Sequence, residues 1–335
     1  MSRETDRRES SPMTRFTLPL TEIRKEDVQR CGGKGANLGE LTQFGAQVPP
    51  GYCVLAEALP YLLRANGLED PIAEAARQLD YDDLQGLEAK TAGIREMIAA
   101  ARIPDDLETE IRERYDALVS PANPYVAVRS SVAVRDSPIS SFPGMMDTYH
   151  YVLGGTQVLE KVRECWASLW TGRAAFARHR QDIADDRGLI APVIQLMVNA
   201  DCAGVLFTAN PITSNTSEVV IESNWGLGES VVSGRAMTDF FVVDKQSLSV
   251  KERRIARKNV MVTMDSGLGS GRVEQPVPAA RSTEPTLSES ELDELVRTSI
   301  AIEAHFGFNV DVEWAFQDGV LYILQARRVR HLADQ

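Results

Sequence analysis

The 335-residue sequence is poor in cysteine and has no long hydrophobic run. Its cysteines are far apart and form no Cys-x-x-Cys pair, which argues against a zinc site and a disulfide framework. We expect buried or free thiols in a reducing cytoplasm. No apolar stretch approaches the roughly 20 residues that a membrane-spanning helix needs. The four cysteines are Cys31, Cys53, Cys165 and Cys202.

An excess of basic charge is also missing. The chain has 36 Lys and Arg residues against 48 Asp and Glu residues, a net charge of −12. This balance argues against nucleic acid or an anionic membrane as a partner. Residues 1–14 are polar and lack the apolar segment of a signal peptide, so we predict a disordered tail there. The remaining composition is that of a globular protein large enough for two domains.

Histidine is scarce, with only His150, His179, His305 and His331. None lies in the Gly/Ser/Thr-rich setting that suits a phosphorylated carrier. His150 follows a Ser/Pro/Gly loop and could lie near a nucleotide, although a structural role is the more common interpretation. The nucleophile-elbow and metalloprotease helix motifs are absent from the sequence.

The pattern of apolar residues predicts an α+β fold with two lobes. Residues 156–180 have the spacing of one long helix, whereas the chain after Asp186 contains short strands separated by turns. We predict an N-terminal lobe over 15–190 and a C-terminal lobe over 191–335 that ends in a hairpin. The Gly/Ser/Pro-rich stretch 264–286 is predicted to be an exposed loop.

Two basic residues occupy positions suited to phosphate. Lys34 lies in Gly32-Gly-Lys-Gly, which we predict to be a loop leading into a helix. Glycines let a backbone approach a phosphate closely, although the spacing is not that of a P-loop and a surface turn is the alternative. Arg129 ends the apolar strand 125–129, where a guanidinium can enter a cleft or pair with a carboxylate.

Three further segments have both a functional and a structural interpretation. The loop 137–148 offers N–H groups and hydroxyls to phosphates, or is an ordinary surface loop. The backbone edge of 195–198 could meet an adenine with Met197 on the base, or the strand is buried core. The segment 224–229 is a glycine-broken loop that either covers a ligand or turns the chain.

The last motif is a hairpin whose strands flank an Asp318-Gly319 turn. It carries Glu313, Gln325 and Arg327. Oxygen donors suit Mg²⁺, and a guanidinium suits phosphate. If Asp318-Gly319 is a two-residue turn, Glu313 and Gln325 are expected on opposite faces, whereas a three-residue loop with a bulge places them on one face. Shared metal ligation requires the second case.

Taken in order, these segments resemble the N-terminal ATP-binding domain of the phosphoenolpyruvate synthase and pyruvate phosphate dikinase family, which rifampin phosphotransferase shares. The resemblance covers about residues 29–328 and implies an ATP-grasp-like fold with the nucleotide between two lobes. The matching stretches are Gly-Gly-Lys-Gly-Ala-Asn-Leu-Gly-Glu-Leu, Val-Pro-Pro-Gly-Tyr, Val-Ala-Val-Arg-Ser-Ser, Phe-Pro-Gly-Met-Met-Asp-Thr, Gln-Leu-Met-Val, Asn-Trp-Gly-Leu-Gly-Glu, and Asp-Val-Glu-Trp with Leu-Gln-Ala-Arg.

The resemblance also implies ATP and Mg²⁺ as ligands. Lys34 and Arg129 would hold phosphates, and Arg327 would neutralise the transferring phosphoryl group. These three would be the catalytic residues, and Glu313 and Gln325 would bind Mg²⁺. The implied ATP-binding residues are Lys34, Arg129, Gly144, Thr148, Tyr149, Gln195, Glu313, Gln325 and Arg327.

Other implied roles concern the loop over the triphosphate. Gly144, Thr148 and Tyr149 would belong to this loop, and Gln195 would lie at the adenine strand. The chain departs from the family in one place nearby. Relatives often have an acidic pair after the Arg-Ser-Ser segment, where this chain has Val-Arg-Asp at 134–136. This difference is expected to alter the loop over the phosphates.

Relatives continue into a domain with a phosphorylated histidine and a domain for the acceptor, and no histidine here matches. The chain therefore resembles the ATP subunit of phenylphosphate synthase and 4-methylbenzyl phosphate (4-cresol) synthases. It would phosphorylate a histidine on a partner subunit, which then phosphorylates a phenol- or cresol-type hydroxyl, with AMP and phosphate as products. The alternatives are the ATP-binding domain of phosphoenolpyruvate synthase or rifampin phosphotransferase, and an ATP-sensing regulatory subunit without catalysis.

Overall fold

The computed structural model describes residues 16–134, 148–185, 187–234 and 236–329. The predicted tail over 1–14 therefore lies outside the described residues, as does Gly144. Helices and antiparallel strands are both abundant in the described ranges, which confirms the predicted α+β class.

The secondary structure follows the predicted order from a helical first half to a strand-rich second half. The helices are α1 (Val28–Phe44), α2 (Ala58–Ala65), α3 (Glu69–Arg77), α4 (Leu84–Ala100), α5 (Asp105–Leu118), α6 (Gly154–Ser168), α7 (Gly172–Arg180), α8 (Glu229–Val232) and α9 (Glu289–Phe306). The strands are β1 (Thr17–Pro19), β2 (Gly51–Val54), β3 (Tyr125–Arg129), β4 (Val132–Val134), β5 (Thr148–Leu153), β6 (Gly188–Ile190), β7 (Val193–Leu196), β8 (Cys202–Phe207), β9 (Glu218–Trp225), β10 (Asp239–Asp244), β11 (Val250–Arg254), β12 (Val260–Met264), β13 (Arg272–Pro276), β14 (Val310–Gln317) and β15 (Val320–Arg328).

A five-stranded antiparallel sheet forms the first half, in the order β1-β2-β7-β3-β5. Helix α5 packs against β1 and β2, and α6 packs against β3 and β5. Trp166 of α6 and Ile94 of α4 are fully buried in the same hydrophobic core. Burying a large apolar side chain contributes about 1.5–3 kcal/mol, so this packing fixes the sheet that carries the N-terminal site residues.

A six-stranded antiparallel sheet forms the second half, in the order β11-β10-β9-β8-β14-β15. Helix α9 packs against β14 and β15 and starts at a capping box between Ser288 and Glu291. The short strands predicted after Asp186 are confirmed. Strand β7, however, is the central strand of the first sheet, and the second sheet begins at Cys202. The predicted lobe boundary between residues 190 and 191 stays a prediction.

Two predicted elements are wrong in detail. The single helix over 156–180 is two helices, because α6 ends at Ser168 and the Thr171 hydroxyl accepts the Ala174 N–H to start α7. The stretch 264–286 is not only loop, since β12 and β13 pair in a hairpin. Apolar spacing alone does not reveal the break between α6 and α7, where the side chain of Thr171 caps the start of the second helix.

All four cysteines are buried and free, which agrees with the prediction of buried or free thiols. The reducing cytoplasm stays a prediction. Across the described ranges, every helix is too short or too polar to span a bilayer. The exposed fraction of the thiols is near zero, so they act as small apolar residues in the core.

Candidate functional site

A cleft of about 1010 Å³ lies between the two sheets. Residues from β3, β5 and β7 line one side, and residues from β8, β14 and β15 line the other. The structure brings together all the described residues that the sequence predicted for the site. They are Lys34, Arg129, Thr148, Tyr149, Gln195, Glu313, Gln325 and Arg327.

Lys34 is placed by a break within α1. Gly32 has φ 67° and ψ 173°, and the residues on both sides of it are helical. The Ser131 Oγ accepts the N–H groups of Lys34 and Gly35, each at 3.1 Å, and donates to the Cys31 carbonyl at 2.8 Å. Ser131 thus caps the renewed helix and satisfies the carbonyl before the break. The predicted glycine-rich loop is wrong, because only Gly32 leaves the helix.

The charge of Lys34 is sensitive to its surroundings. Its side chain is only 8% exposed. Burial, followed by the repulsion of Arg129, lowers the pKa of Lys34 to about 7, against an opposing attraction from Glu313. A phosphate bound at this position would place negative charge beside the amine and favour its protonated form. The arrangement therefore favours an anionic ligand.

Arg129 connects β3 of the first sheet to the terminal hairpin of the second sheet. Its Nη1 donates to the Leu324 carbonyl at 2.6 Å, and its Nη2 donates to the Glu313 Oε2 at 2.8 Å. Both interpretations of a strand-end arginine hold, since the side chain lines the cleft and pairs with a carboxylate. Two bonds from one guanidinium fix its plane, which leaves its remaining N–H groups in a set direction.

The terminal hairpin has a two-residue turn and a separate bulge. Asp318 and Gly319 both have positive φ, 51° and 74°, as a type I′ turn requires. The register shifts between Glu313 and Trp314, which leaves Leu324 as the extra residue and makes Glu313 and Gln325 direct cross-strand partners. Direct partners project from the same face. The expectation that a two-residue turn places Glu313 and Gln325 on opposite faces is therefore wrong, because the bulge at Leu324 brings them back to one face. The geometric condition for shared ligation is met.

The oxygen donors of this face fit Mg²⁺. The Gln325 Oε1 is buried and has no hydrogen-bond partner among the described residues. A buried polar atom without a partner is costly, and a hard cation would satisfy it. No group of three or more His, Cys, Asp or Glu residues suited to a metal occurs in the described ranges. Mg²⁺ held by Glu313 and Gln325 would need further oxygens from a ligand or water.

Arg327 is held by Asp311, a residue to which the sequence motifs assign no role. The Arg327 Nε and Nη2 both approach the Asp311 Oδ2 at 2.8 Å. The two residues are direct partners across the hairpin, and the Arg327 side chain is 47% exposed. The position of Asp311, two residues before Glu313, was the available signal, because alternate strand residues share a face.

One end of the cleft is apolar. A small cluster of buried residues closes this end and is formed by Ala127, Tyr151, Met197, Leu227 and Val262. Four of them line the cleft, and Val262 of β12 packs behind. An apolar surface in a cleft of this kind suits an apolar or aromatic ring.

Gln195 does not lie at a free strand edge. It pairs with Gly51 of β2 on one side and Ala127 of β3 on the other. Its Nε2 donates to the Pro49 carbonyl at 2.9 Å. The prediction that the backbone edge at Gln195 meets an adenine is therefore wrong. Met197, which lines the cleft just after β7 ends, remains in a position to contact a base.

Thr148 and Tyr149 belong to a strand rather than to a loop. They begin β5 and pair with Arg129 and Val128. The predicted loop role is wrong for these two residues, although both line the cleft. Lys161 of α6 was missed, and its Nζ lies 4.8 Å from the centre of the Tyr149 ring. Nothing in the local sequence distinguishes it from a surface lysine.

A histidine, a carboxylate and a guanidinium also line the cleft. They are His150 of β5, Glu229 of α8 and Arg272 of β13. Burial, together with Arg129 and Arg272, lowers the pKa of His150 to about 3, so the ring is neutral near pH 7. The sequence allows His150 to lie near the nucleotide but favours a structural role, and its position in the cleft lining supports the first of these interpretations.

Comparison with known proteins agrees with this geometry. The family model for the AMP/ATP-binding domain of pyruvate phosphate dikinase matches residues 28–335. A probable phosphoenolpyruvate synthase of Pyrococcus horikoshii is 38% identical over 361 residues, covering 96% of this chain and 44% of that protein. A probable phosphoenolpyruvate synthase of Methanocaldococcus jannaschii is 40% identical over 321 residues, covering 95% of this chain and 27% of that protein. The chain thus spans less than half the length of these relatives.

Proposed function

This chain belongs to the pyruvate phosphate dikinase AMP/ATP-binding domain family, and we propose that its cleft binds Mg-ATP and donates a phosphoryl group to a histidine, with AMP and phosphate as products. The observation that carries this proposal is the convergence of Lys34, Arg129 and Arg327 on one cleft with two oxygen ligands for a metal. The two sheets around the cleft support the ATP-grasp-like arrangement.

The cleft matches the parts of a nucleotide. Three cations from distant parts of an acidic chain would hold phosphates, which need concentrated positive charge. The apolar cluster formed by Ala127, Tyr151, Met197, Leu227 and Val262 would hold the base. A cleft of about 1010 Å³ has room for both.

The protein groups would act by positioning and charge neutralisation. Arg129 is preorganised by its bonds to the Leu324 carbonyl and Glu313. Arg327 is oriented by Asp311 and is partly exposed, so it can meet a phosphoryl group on its way to an acceptor. Mg²⁺ held by Glu313 and Gln325 would supply charge neutralisation at the phosphate oxygens.

The relatives favour a phosphoenolpyruvate-synthase-type role over an aromatic acceptor. The similar proteins from Pyrococcus and Methanocaldococcus are named phosphoenolpyruvate synthase or probable phosphoenolpyruvate synthase. No observation specifically supports the two-component phenol or cresol hypothesis. We propose that the acceptor histidine lies on a separate domain or subunit that docks at the cleft.

Equilibrium binding of Mg-ATP tests the function. Replacing Arg327 with Gln should weaken Mg-ATP binding roughly tenfold or more, because a charge-assisted contact to phosphate is lost. The matched control is Arg328→Gln, because Arg328 is the next residue of β15 and its guanidinium lies 4.1 Å from the Phe308 ring. Titration calorimetry of the wild type, R327Q and R328Q, with and without Mg²⁺, gives the dissociation constants.

Two outcomes would count against the proposal. One is that the wild type does not bind Mg-ATP at millimolar concentration. The other is that R327Q and R328Q bind Mg-ATP equally well.

A further inference from the structure

His150, Glu229 and Arg272 form a polar group in the lining of the cleft. The His150 Nδ1 lies 3.7 Å from the Glu229 Oε2, too far for a hydrogen bond between them. The Arg272 Nε lies 2.6 Å from the same Oε2, so the hairpin of β12 and β13 holds the carboxylate in place. The carboxylate and the imidazole nitrogen thus stand side by side in the cleft.

This group lies between the two ends that the proposed nucleotide would occupy. His150 precedes Tyr151 of the apolar cluster on β5, and Glu229 follows Leu227 of the same cluster by two residues. The positive charges of Arg129 and Lys34 contribute to the lowered pKa of His150, so the ring also lies near the groups that would hold the phosphates. In a nucleotide the sugar connects the base to the phosphates, so it would lie at this position.

The available atoms match hydroxyl groups. The His150 Nδ1 is buried and has no hydrogen-bond partner among the described residues. A neutral imidazole offers one donor and one acceptor, and a carboxylate accepts. A cis-diol can bond both groups at once, which would remove the cost of the unsatisfied Nδ1.

We infer that His150 and Glu229 bind the ribose hydroxyls of the nucleotide, and that His150 sets a preference for ribonucleotides over deoxyribonucleotides. This inference rests on the proposed nucleotide-binding function. Arg272 is a positioning residue in this arrangement, because it touches Glu229 rather than the sugar.

The test compares dissociation constants for ATP, 2′-deoxy-ATP and 3′-deoxy-ATP, each with Mg²⁺. The wild type should prefer ATP over at least one deoxy analogue by roughly three- to tenfold, the worth of one hydrogen bond. In His150→Leu this ratio should fall towards one, because ATP binding weakens while binding of that analogue does not. His150→Asn should recover part of the preference, since its side-chain amide places a polar atom near the position of Nδ1.

His179→Leu is the matched control, because His179 is an exposed residue of α7 that stacks on Tyr81 outside the cleft. It should keep the wild-type ratios. Equal ratios in the wild type and H150L, with ATP still bound, would overturn the inference and leave the proposed function standing. Failure of the wild type to bind any of the three nucleotides would overturn the proposed function and the inference with it. H150N keeps the comparison valid if H150L does not fold.

Discussion

Lys34 stands at the first turn of the renewed helix, with Arg129 and Arg327 repelling its charge and Glu313 attracting it. Desolvation is the largest effect on its pKa, so the amine of the free protein is partly neutral near pH 7. Binding a polyphosphate would reverse this balance, because negative charge favours the ammonium form. Proton uptake and ligand binding are therefore linked at this residue.

This linkage predicts a pH dependence of ATP binding. Above pH 7 the free protein has lost the Lys34 proton that the phosphate-bound state needs, so affinity should fall by up to about tenfold per pH unit. Lys34→Met should bind ATP more weakly and lose this slope. Titration calorimetry of both proteins between pH 7 and 8.5 measures it.

Lys245→Met provides the control for that pH series. Lys245 pairs with Glu303 outside the cleft, with N–O distances of 2.6 and 2.8 Å. This variant should keep the wild-type slope. A slope that is equal in K34M and the wild type would show that another group titrates.

The sequence predicted residue types better than it predicted their partners. Lys34 and Arg129 were identifiable from their glycine and strand-end settings. Lys161 and Arg272 were not, because their roles arise from side chains that packing brings close. The Arg272–Glu229 pair, for example, joins residues that are 43 positions apart. Local patterns carry no information about such pairs.

At the level of elements, the terminal hairpin shows how tertiary contacts set register. The Asp318-Gly319 turn was predictable, because few other residues adopt two successive positive φ angles. The bulge at Leu324 was not, since no glycine marks it. Its carbonyl accepts from Arg129 of the other sheet. A contact between distant residues thus accompanies the shift that places Glu313 and Gln325 on one face.

The break in α1 gives a prediction about stability. Gly32 has a backbone conformation that is essentially restricted to glycine, and a Cβ there would overlap the Ser131 hydroxyl and the Val132 carbonyl. We expect Gly32→Ala to lower the free energy of unfolding by more than about 2 kcal/mol. It should also weaken ATP binding, since Lys34 follows the break by two residues. Urea denaturation measures the first effect.

Gly45→Ala separates the causes of that loss. Gly45 caps the C-terminus of the same helix with φ 90°, and a Cβ added there would have no atom of the described residues within 4 Å. This substitution should cost only about 1 kcal/mol, from backbone strain alone. Equal losses in the two variants would contradict the proposed steric role of Ser131.

At the scale of the whole molecule, the two sheets meet around one cleft. Arg129 connects β3 to the terminal hairpin, and the hairpin of β12 and β13 reaches back to the first sheet. In that hairpin region, the Gly271 N–H donates to the Tyr151 carbonyl and the Leu227 N–H donates to the Val262 carbonyl. Residues from both sheets therefore surround any bound nucleotide, and neither sheet carries the site alone.

The positions of the histidines bear on the phosphoryl acceptor. Of the three histidines that the structure describes, His179 stacks on Tyr81 and His305 pairs with Glu40, both outside the cleft lining. His150 is partly buried and lines the cleft. We therefore predict that the purified chain binds Mg-ATP but forms little AMP by itself, because the acceptor histidine is proposed to lie on a separate domain or subunit.

Chromatographic measurement of AMP over several hours checks this prediction. The full-length phosphoenolpyruvate synthase of Pyrococcus furiosus, 37% identical over 362 residues and covered by this chain over 44% of its length, is the comparison enzyme. It should form AMP with its substrates present, while this chain with the same additions should not. Sustained AMP formation by this chain alone would mean that its own residues complete the reaction, and the requirement for an external histidine would be wrong.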